Sequence, residues 1–255
     1  MNKEAERTQV VLMVGGEAKR MGLNIPKALI KVGEITLLER CINMFTSCGF
    51  SDFRLLMGYK DQRIEEYLKN VNLGGASITN SYDYAQGIAK GKAIKQALID
   101  GKIDKNKRAF VAFPDDLFLD NKLPERAVVE HANAVNKFGI FASAVVAEAY
   151  RYPQGVVYAD ERGIVTRSEE NPLVPLLTTV GMYIFEPPAY KYFLDLIDLK
   201  KEGPAEFEVA VMPKLANEGK EYAIKIPPDT WIAINTIKEL EKAQRLVESG
   251  AIPKR

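Results

Sequence analysis

The chain has 255 residues, 47% of them apolar, which is enough to bury a sizeable core and excludes disorder as the default state. Thirty-five Lys and Arg against 34 Asp and Glu leave a formal charge of +1, so no bulk field draws in nucleic acid or an anionic membrane and any anion site has to be local. The polar start MNKEAERTQ lacks the apolar stretch of a signal peptide, and no later apolar run approaches the ~18 residues of a membrane span.

In chain order, VVLMV (10–14) predicts the first strand. A helix is expected from Thr36 to Cys48, because Leu37, Leu38, Cys41, Ile42, Phe45 and Cys48 recur at helical spacing. Its two cysteines, Cys41 and Cys48, lie roughly 10 Å apart along that helix, too far for a disulfide. Unpaired thiols predict a reducing, cytoplasmic location, and the single His131 rules out a His-rich metal site. A strand at FRLLM (53–57), helices at 60–70 and 88–99, and a strongly apolar strand AFVAF (109–113) follow. Alternation of this kind predicts an α/β, Rossmann-like fold with a mostly parallel sheet and helices on both faces.

The second half changes character. FGIFASAVVA (138–147) reads as a strand, and GVVYA (155–159) and GIVTR (163–167), joined by Asp160-Glu161-Arg162-Gly163, read as a β-hairpin. A strand VGMYIF (180–185), two helices, a strand YAIKI (222–226) and a terminal helix from Ile237 to Glu248 complete a mixed, β-rich C-terminal lobe. With no linker or fixed-period repeat, one domain over 1–255 is the simpler account.

The strongest local signal is Gly15-Gly16-Glu17-Ala18-Lys19-Arg20-Met21-Gly22, directly after the first strand, followed by Pro26-Lys27-Ala28-Leu29. Glycines beyond a strand's carboxyl end let backbone N–H groups approach phosphate oxygens. Arg20 offers a planar fork for those oxygens, and Lys27 a point charge for an α-phosphate gaining negative charge. The spacing matches neither the Lys-Ser/Thr nucleotide loop nor the dinucleotide fingerprint. The second signal is Phe113-Pro114-Asp115-Asp116-Leu117 at the end of AFVAF. A hard cation there takes carboxylate and phosphate oxygens, although Asp also favours caps and turns.

Together GGEAKRM and PKALIKVGE resemble the signature of the sugar-1-phosphate nucleotidyltransferase superfamily, Gly-Gly-x-Gly-Thr-Arg-Leu followed by Pro-Lys-x-Leu. The resemblance runs in order from Gly15 to Leu240. It implies a catalytic pair Arg20 and Lys27, a nucleotide loop of Gly15, Gly16 and Glu17, and Mg²⁺ on Asp115, with Asp116 as the fallback. Tyr82-Asp83-Tyr84-Ala85-Gln86-Gly87-Ile88-Ala89 is similar to the family's segment at the base and ribose, with Gly87 and Ala89 matching best. Nearby Lys90, Lys92 and Lys95 are expected mainly on a solvated helix face. Gly155, Glu170, Asn171 and Gly181 match positions that the family uses for the sugar phosphate, with Asn171 in place of a Lys. The family's C-terminal metal Asp falls at Ala233. Asn235 is the substitute candidate, Asp229 a second, and Asn235 as a plain helix cap has nearly equal weight.

What the resemblance implies is Mg²⁺-dependent condensation of an NTP with a sugar 1-phosphate to give an NDP-sugar and pyrophosphate. The nucleotide-binding half would be 1–120 and the sugar-phosphate half 121–255, and family analogy implies a homo-oligomer. Three alternatives stay open: a non-sugar acceptor such as a molybdopterin-type cofactor precursor, a catalytically weakened nucleotide-sugar-binding regulator, and a glycosyltransferase. Arg20 and Lys27 argue against the last.

Overall fold

Strand β1 (Thr8–Met13) lies inside a seven-stranded sheet in the computed structural model, which describes residues 3–83, 85 and 87–253. With β2 (Asp52–Met57), β3 (Ser77–Tyr82), β4 (Arg108–Ala112), β5 (Ala142–Ala147), β6 (Thr178–Phe185) and β7 (Glu221–Ile226), the order across the sheet is β7-β5-β6-β4-β1-β2-β3. Only β6 runs antiparallel to its neighbours in this sheet. Val10 sits opposite Phe53 on one side and Phe110 on the other.

The pleat sends successive side chains to opposite faces, and both faces are covered. Val10 and Leu12 join Phe45, Phe53 and Phe110 beneath α1 (Leu37–Ser47), α2 (Asp61–Lys69) and α4 (Leu123–Phe138). Val11 joins Tyr183, Phe185, Phe193 and Phe207 on the other face, beneath α3 (Ala89–Ile99) and short helices between 190 and 217. Phe45 makes edge contacts with Phe50 at 5.3 Å and Phe110 at 5.0 Å, so truncating it to Ala would cost about 3–5 kcal/mol.

A third apolar cluster positions the site. Val32 of the hairpin 31–36 and Leu37 at the start of α1 pack with Ile232, Ile234, Ala243 and Val247 around α5 (Ile237–Glu248). Thr236 caps α5 by accepting from Glu239 N while the Glu239 side chain accepts from the Thr236 backbone, the reciprocal pairing that fixes a helix start. Arg40 donates to Val32 O and to Pro253 O at 2.7 Å, tying down the C-terminal segment.

The expected parallel sheet, the helices on both faces and the hairpin are present, the hairpin as Val156–Ala159 against Val165–Glu169. Three points differ. Edge strand β3 and helix α4 were not anticipated, and the strand expected over 138–147 begins only at Ala142, because α4 runs to Phe138 and ends on Gly139 at φ 64°.

Candidate nucleotide site

A cleft of about 680 Å³ opens beyond the carboxyl ends of β1 and β4, lined by the loop from Met13 to Met21, Lys27, Asp83, Gly87–Lys90, Phe113–Asp115 and Asn235. From β1 the chain adds β2 and β3 on one side and β4 on the other, the topological switch at which α/β sheets hold ligands. The volume suits a small organic ligand.

The loop is built to stay in place. Lys27 N donates to Gly16 O at 3.0 Å, Glu17 bridges Pro26, and Ala18 and Met21 are buried in the third cluster. That burial explains an apolar Ala18 within the Gly-Gly segment, and it leaves Lys19 and Arg20 exposed at the cleft. Neither cation has an ion-pair partner among the described residues.

Three residues far apart in sequence converge here. Lys27 Nζ donates to Asp115 Oδ2 and, at 2.8 Å, to Asn235 Oδ1. Ile234 N donates to Asp115 O, which brings the segment before α5 against the end of β4. Capping of α5 falls to Thr236, so Asn235 keeps its side-chain oxygen for Lys27. The reading of Asn235 as the plain cap is thereby corrected. Asp229 is directed elsewhere, to Arg151 at 2.9 Å.

Asp116 points away from that cluster. Its Oδ1 accepts from Trp231 Nε1 at 2.7 Å, and burial, then the neighbouring Asp115 charge, pushes its pKa well up. Gly181, at φ 76°, makes room for it, since a Cβ there would lie 2.0 Å from Asp116 Oδ2 and 2.9 Å from Phe113. Gly181 therefore stands behind the Asp115 loop and does not line the cleft.

Gly87 and Ala89 do line the cleft, and Ala89 holds a left-handed φ of 64°, a conformation that side chains other than Gly tolerate at a cost. Tyr84 and Gln86 of the same segment lie outside the described residues. Of the three nearby lysines only Lys90 faces the cleft, over the Phe113 ring and paired with Glu208 at 2.7 Å. Burial opposes its charge, but Glu208 and Glu206 outweigh that and hold its pKa above the usual lysine value. Lys92 is buried and donates to Lys201 O and Gly203 O, and Lys95 donates to Leu194 O and Ile197 O. The expectation of a solvated lysine face is corrected: both cations cap carbonyls of a loop and helix end.

The remaining candidates form a separate group. A Cβ on Gly155 would lie 2.7 Å from Glu170 Oε2, so these two residues adjoin across the hairpin. Asn171 adopts φ 48° with its amide 3.5 Å from Glu170 Oε1, and Asn tolerates that conformation better than a Lys would. None of the three lines the 680 Å³ cleft.

Sequence reasoning passed over Asp83, whose carboxyl lines the cleft and whose pKa is pushed up to about 6 by burial. Its position directly after a strand was a usable signal, hidden because that strand, SITNSY, is polar.

A family model for nucleotidyl transferases matches residues 9–250. A Bacillus subtilis (strain 168) protein assigned as a glucose-1-phosphate cytidylyltransferase is 23% identical, over 95% of this chain and 97% of its own length. The mannose-1-phosphate guanyltransferase of Kluyveromyces lactis is 26% identical over 90% of this chain, which spans 62% of that protein. In fold the chain is similar to a Bacillus anthracis structure assigned as a glucose-1-phosphate thymidylyltransferase and solved with sucrose (TM-score 0.70, 17% identity, 94% of each chain). It is also similar to HddC from Yersinia pseudotuberculosis complexed with GMP-PN (TM-score 0.67, 18% identity, 93% of this chain and 98% of that one). The match over 9–250 bears out the resemblance read from GGEAKRM and PKALIKVGE, and the chain belongs to the nucleotidyl transferase family.

Proposed function

We propose that the chain transfers a nucleotidyl group from an NTP to the phosphate of a sugar 1-phosphate, releasing pyrophosphate, with Mg²⁺. The observation that carries this reading is the convergence of Lys27, Asp115 and Asn235 at the mouth of the Gly15-Gly16 loop.

The donor set fits a hard cation. Asp115 Oδ2 and Asn235 Oδ1 already meet on one positive centre, the Lys27 ammonium, and both are oxygen donors of the kind Mg²⁺ prefers. Among the described residues no group of three His, Cys, Asp or Glu forms a complete cage, so phosphate oxygens would complete the set, as is usual for Mg²⁺. Asp115 and Asn235 would hold the ion, which supplies Lewis-acid polarisation of the phosphates when bound. Gly15, Gly16 and Glu17 seat the triphosphate, and Gly87 and Ala89 border the nucleoside. Arg20 and Lys27 neutralise charge that grows on the α-phosphate and the leaving pyrophosphate while an acceptor phosphate oxygen attacks in line. No protein nucleophile takes part.

In this reading 1–120 is the nucleotide half and 121–255 the acceptor half of one domain, with Gly155, Glu170 and Asn171 toward the acceptor and Gly181 acting through Asp116. The exposed hairpin residues Val157, Ile164 and Val165 support a homo-oligomer, and the free, buried Cys41 and Cys48 support a cytoplasmic location. No described helix is long and apolar enough to cross a membrane.

The test is a matrix of NTPs against sugar 1-phosphates with Mg²⁺, read as pyrophosphate. Release that requires both substrates supports the reading. A blank matrix with retained nucleotide-sugar binding replaces it with the regulatory alternative, and release only with a non-sugar phosphorylated acceptor moves it to the cofactor-precursor class.

A further inference from the structure

Ala89 stands on the cleft wall at φ 64°, a conformation that a residue with a side chain keeps only where its surroundings over-determine it. Those surroundings come from the other half of the chain. Ala205 N donates to Ile88 O at 3.3 Å, and Gly91 N donates to Ala205 O at 2.9 Å, so the two backbone groups of one residue bracket Ala89 and Lys90. Gly91 permits that approach, since a Cβ there would lie 2.6 Å from Ala205 O and 3.1 Å from Phe207 N.

Ala205 belongs to a strap, 197–206, between the helix Tyr190–Leu196 and the short helix Phe207–Ala210. Buried Ile197 and Phe207 anchor its two ends in the core. Its middle, 200–204, is exposed, and a cavity of about 310 Å³ bordered by Lys92, Ile197, Gly203 and Ala205 lies against it. A segment with so little packing is the kind that opens locally. Lys92 ties it down. Its side chain, on α3 beside Gly91, is buried, and its ammonium donates to Lys201 O and, at 2.8 Å, to Gly203 O. A buried ammonium is costly unless oxygens accept from it, so this charge binds the middle of the strap to the helix that begins at Ala89. Glu206 in the strap and Glu208 just past it pair with Lys90 at 3.3 Å and 2.7 Å, adding a second tie beside the cleft.

We infer that Lys92 is a positioning residue: it holds the strap against α3, the strap holds Ala89 in its left-handed conformation, and nucleotide binding is thereby coupled to docking of the strap. Lys92 touches no ligand and acts through Ala205. With the strap released, the bonds to Ile88 O and from Gly91 N go with it, and Ala89 relaxes out of the wall that Gly87, Ala89 and Lys90 form. Coupling of this kind is reciprocal, so a bound nucleotide must favour the docked strap by the factor by which the docked strap favours the nucleotide. The inference rests on the nucleotide reading above and adds a device in the acceptor half that sets nucleotide affinity.

Binding of GTP, CTP, ATP, UTP and dTTP with Mg²⁺, measured calorimetrically on the full chain, first identifies the tightest NTP. Lys92→Met keeps the apolar stem, and the exposed strap carbonyls it frees turn to water. It should weaken that NTP about three- to ten-fold, the scale of one to two hydrogen bonds, and raise its KM by the same factor with kcat nearly unchanged. Lys92→Arg, which retains donors for both carbonyls, should recover most of the affinity. Wild type supplies a second readout that needs no variant. Lys200 and Lys201 are exposed in the strap, and the tightest NTP at saturation should slow tryptic cleavage after them, as followed by mass spectrometry. Wild-type affinity in a folded Lys92→Met protein, equal losses in the Met and Arg variants, or wild-type cleavage that is indifferent to the NTP overturns the strap inference alone. Failure of every NTP to bind wild type overturns the nucleotide reading and this inference with it.

Discussion

Gly181→Ala tests how the site is supported from behind. The new Cβ would lie 2.0 Å from Asp116 Oδ2, 2.8 Å from its Cγ and 2.9 Å from Phe113 Cδ2, on a backbone held at φ 76°. The left-handed backbone alone costs Ala about 1–2 kcal/mol. Asp116 cannot remain where it is, so its bond from Trp231 Nε1 is lost as well, at about 1–3 kcal/mol for a buried group left unsatisfied. Together these give roughly 2–5 kcal/mol, or a Tm lower by about 4–20 °C for a chain of this size. Trp231 is the chain's single tryptophan, so its emission reports directly on the Asp116 contact. The expected outcome is a large drop in Tm, altered Trp231 emission in the folded state, and loss of pyrophosphate release as the Asp115 loop shifts. A Tm within about 2 °C of wild type with unchanged emission would refute the packing argument. A normal Tm with only a raised KM for the acceptor would instead place Gly181 at the sugar.

Other perturbations probe separate links. Lys27→Ala removes the cation held by Asp115 and Asn235, and should lower kcat for pyrophosphate release about 100- to 1,000-fold with little change in Tm; near-normal release would remove Lys27 from the mechanism. Thr236→Ala deletes one half of the capping box on α5 and should cost about 1 kcal/mol, read by chemical denaturation. Acid sensitivity follows from two depressed pKa values in a buried network where His131 meets Ser143 at 2.7 Å and Glu186 at 3.1 Å. Burial holds the His131 imidazole below its usual 6.5, and bonds from His131 and Arg108 hold Glu186 below 4.5 despite its burial. A depressed folded pKa gives stability that is present above the unfolded value and lost as pH falls below it. Wild-type Tm should therefore fall from pH 7 toward pH 5, and His131→Gln should flatten that first part of the curve; an equal slope in the variant would exclude His131 as its source.

How much was legible depended on whether a residue's role was local. The Gly15-Gly16 loop and Asp115 follow strongly apolar strands, Lys27 stands in the Pro26-Lys27-Ala28-Leu29 segment just beyond that loop, and the cleft forms there. Helix α1 was read nearly to its ends because Leu37, Leu38, Cys41, Ile42 and Phe45 are all buried on one face. Strand β3 was not, because it is an edge strand whose only buried side chain is Ser81, so period-2 patterning is absent. Helix α4 carried a readable stripe of Ala127, Val128, His131 and Ala134, interrupted by a histidine whose partners come from later in the chain, Ser143 within β5 and Glu186 just after β6. Lys92 looked like a surface residue, and only the fold shows that the 201–203 carbonyls take its charge.

The same distinction governs the charge of the cleft. Lys27 and Lys90 are each committed to acidic or amide oxygens, Lys27 to Asp115 and Asn235 and Lys90 to Glu208 and Glu206. Lys19 and Arg20 line the cleft without such partners among the described residues. A net charge of +1 for the whole chain thus conceals two kinds of cation at one site. The exposed pair can attract an incoming triphosphate over a Debye length of about 8 Å in physiological salt. The paired lysines act only at contact, because a carboxylate already screens each of them. On the proposed function, Lys27 would reach a phosphate only by leaving the oxygens of Asp115 and Asn235, so nucleotide binding and rearrangement of Lys27 would be energetically one event. The sequence places Arg20 and Lys27 seven residues apart as a pair, whereas their surroundings differ: Arg20 is exposed at the cleft, and Lys27 is held by Asp115 and Asn235.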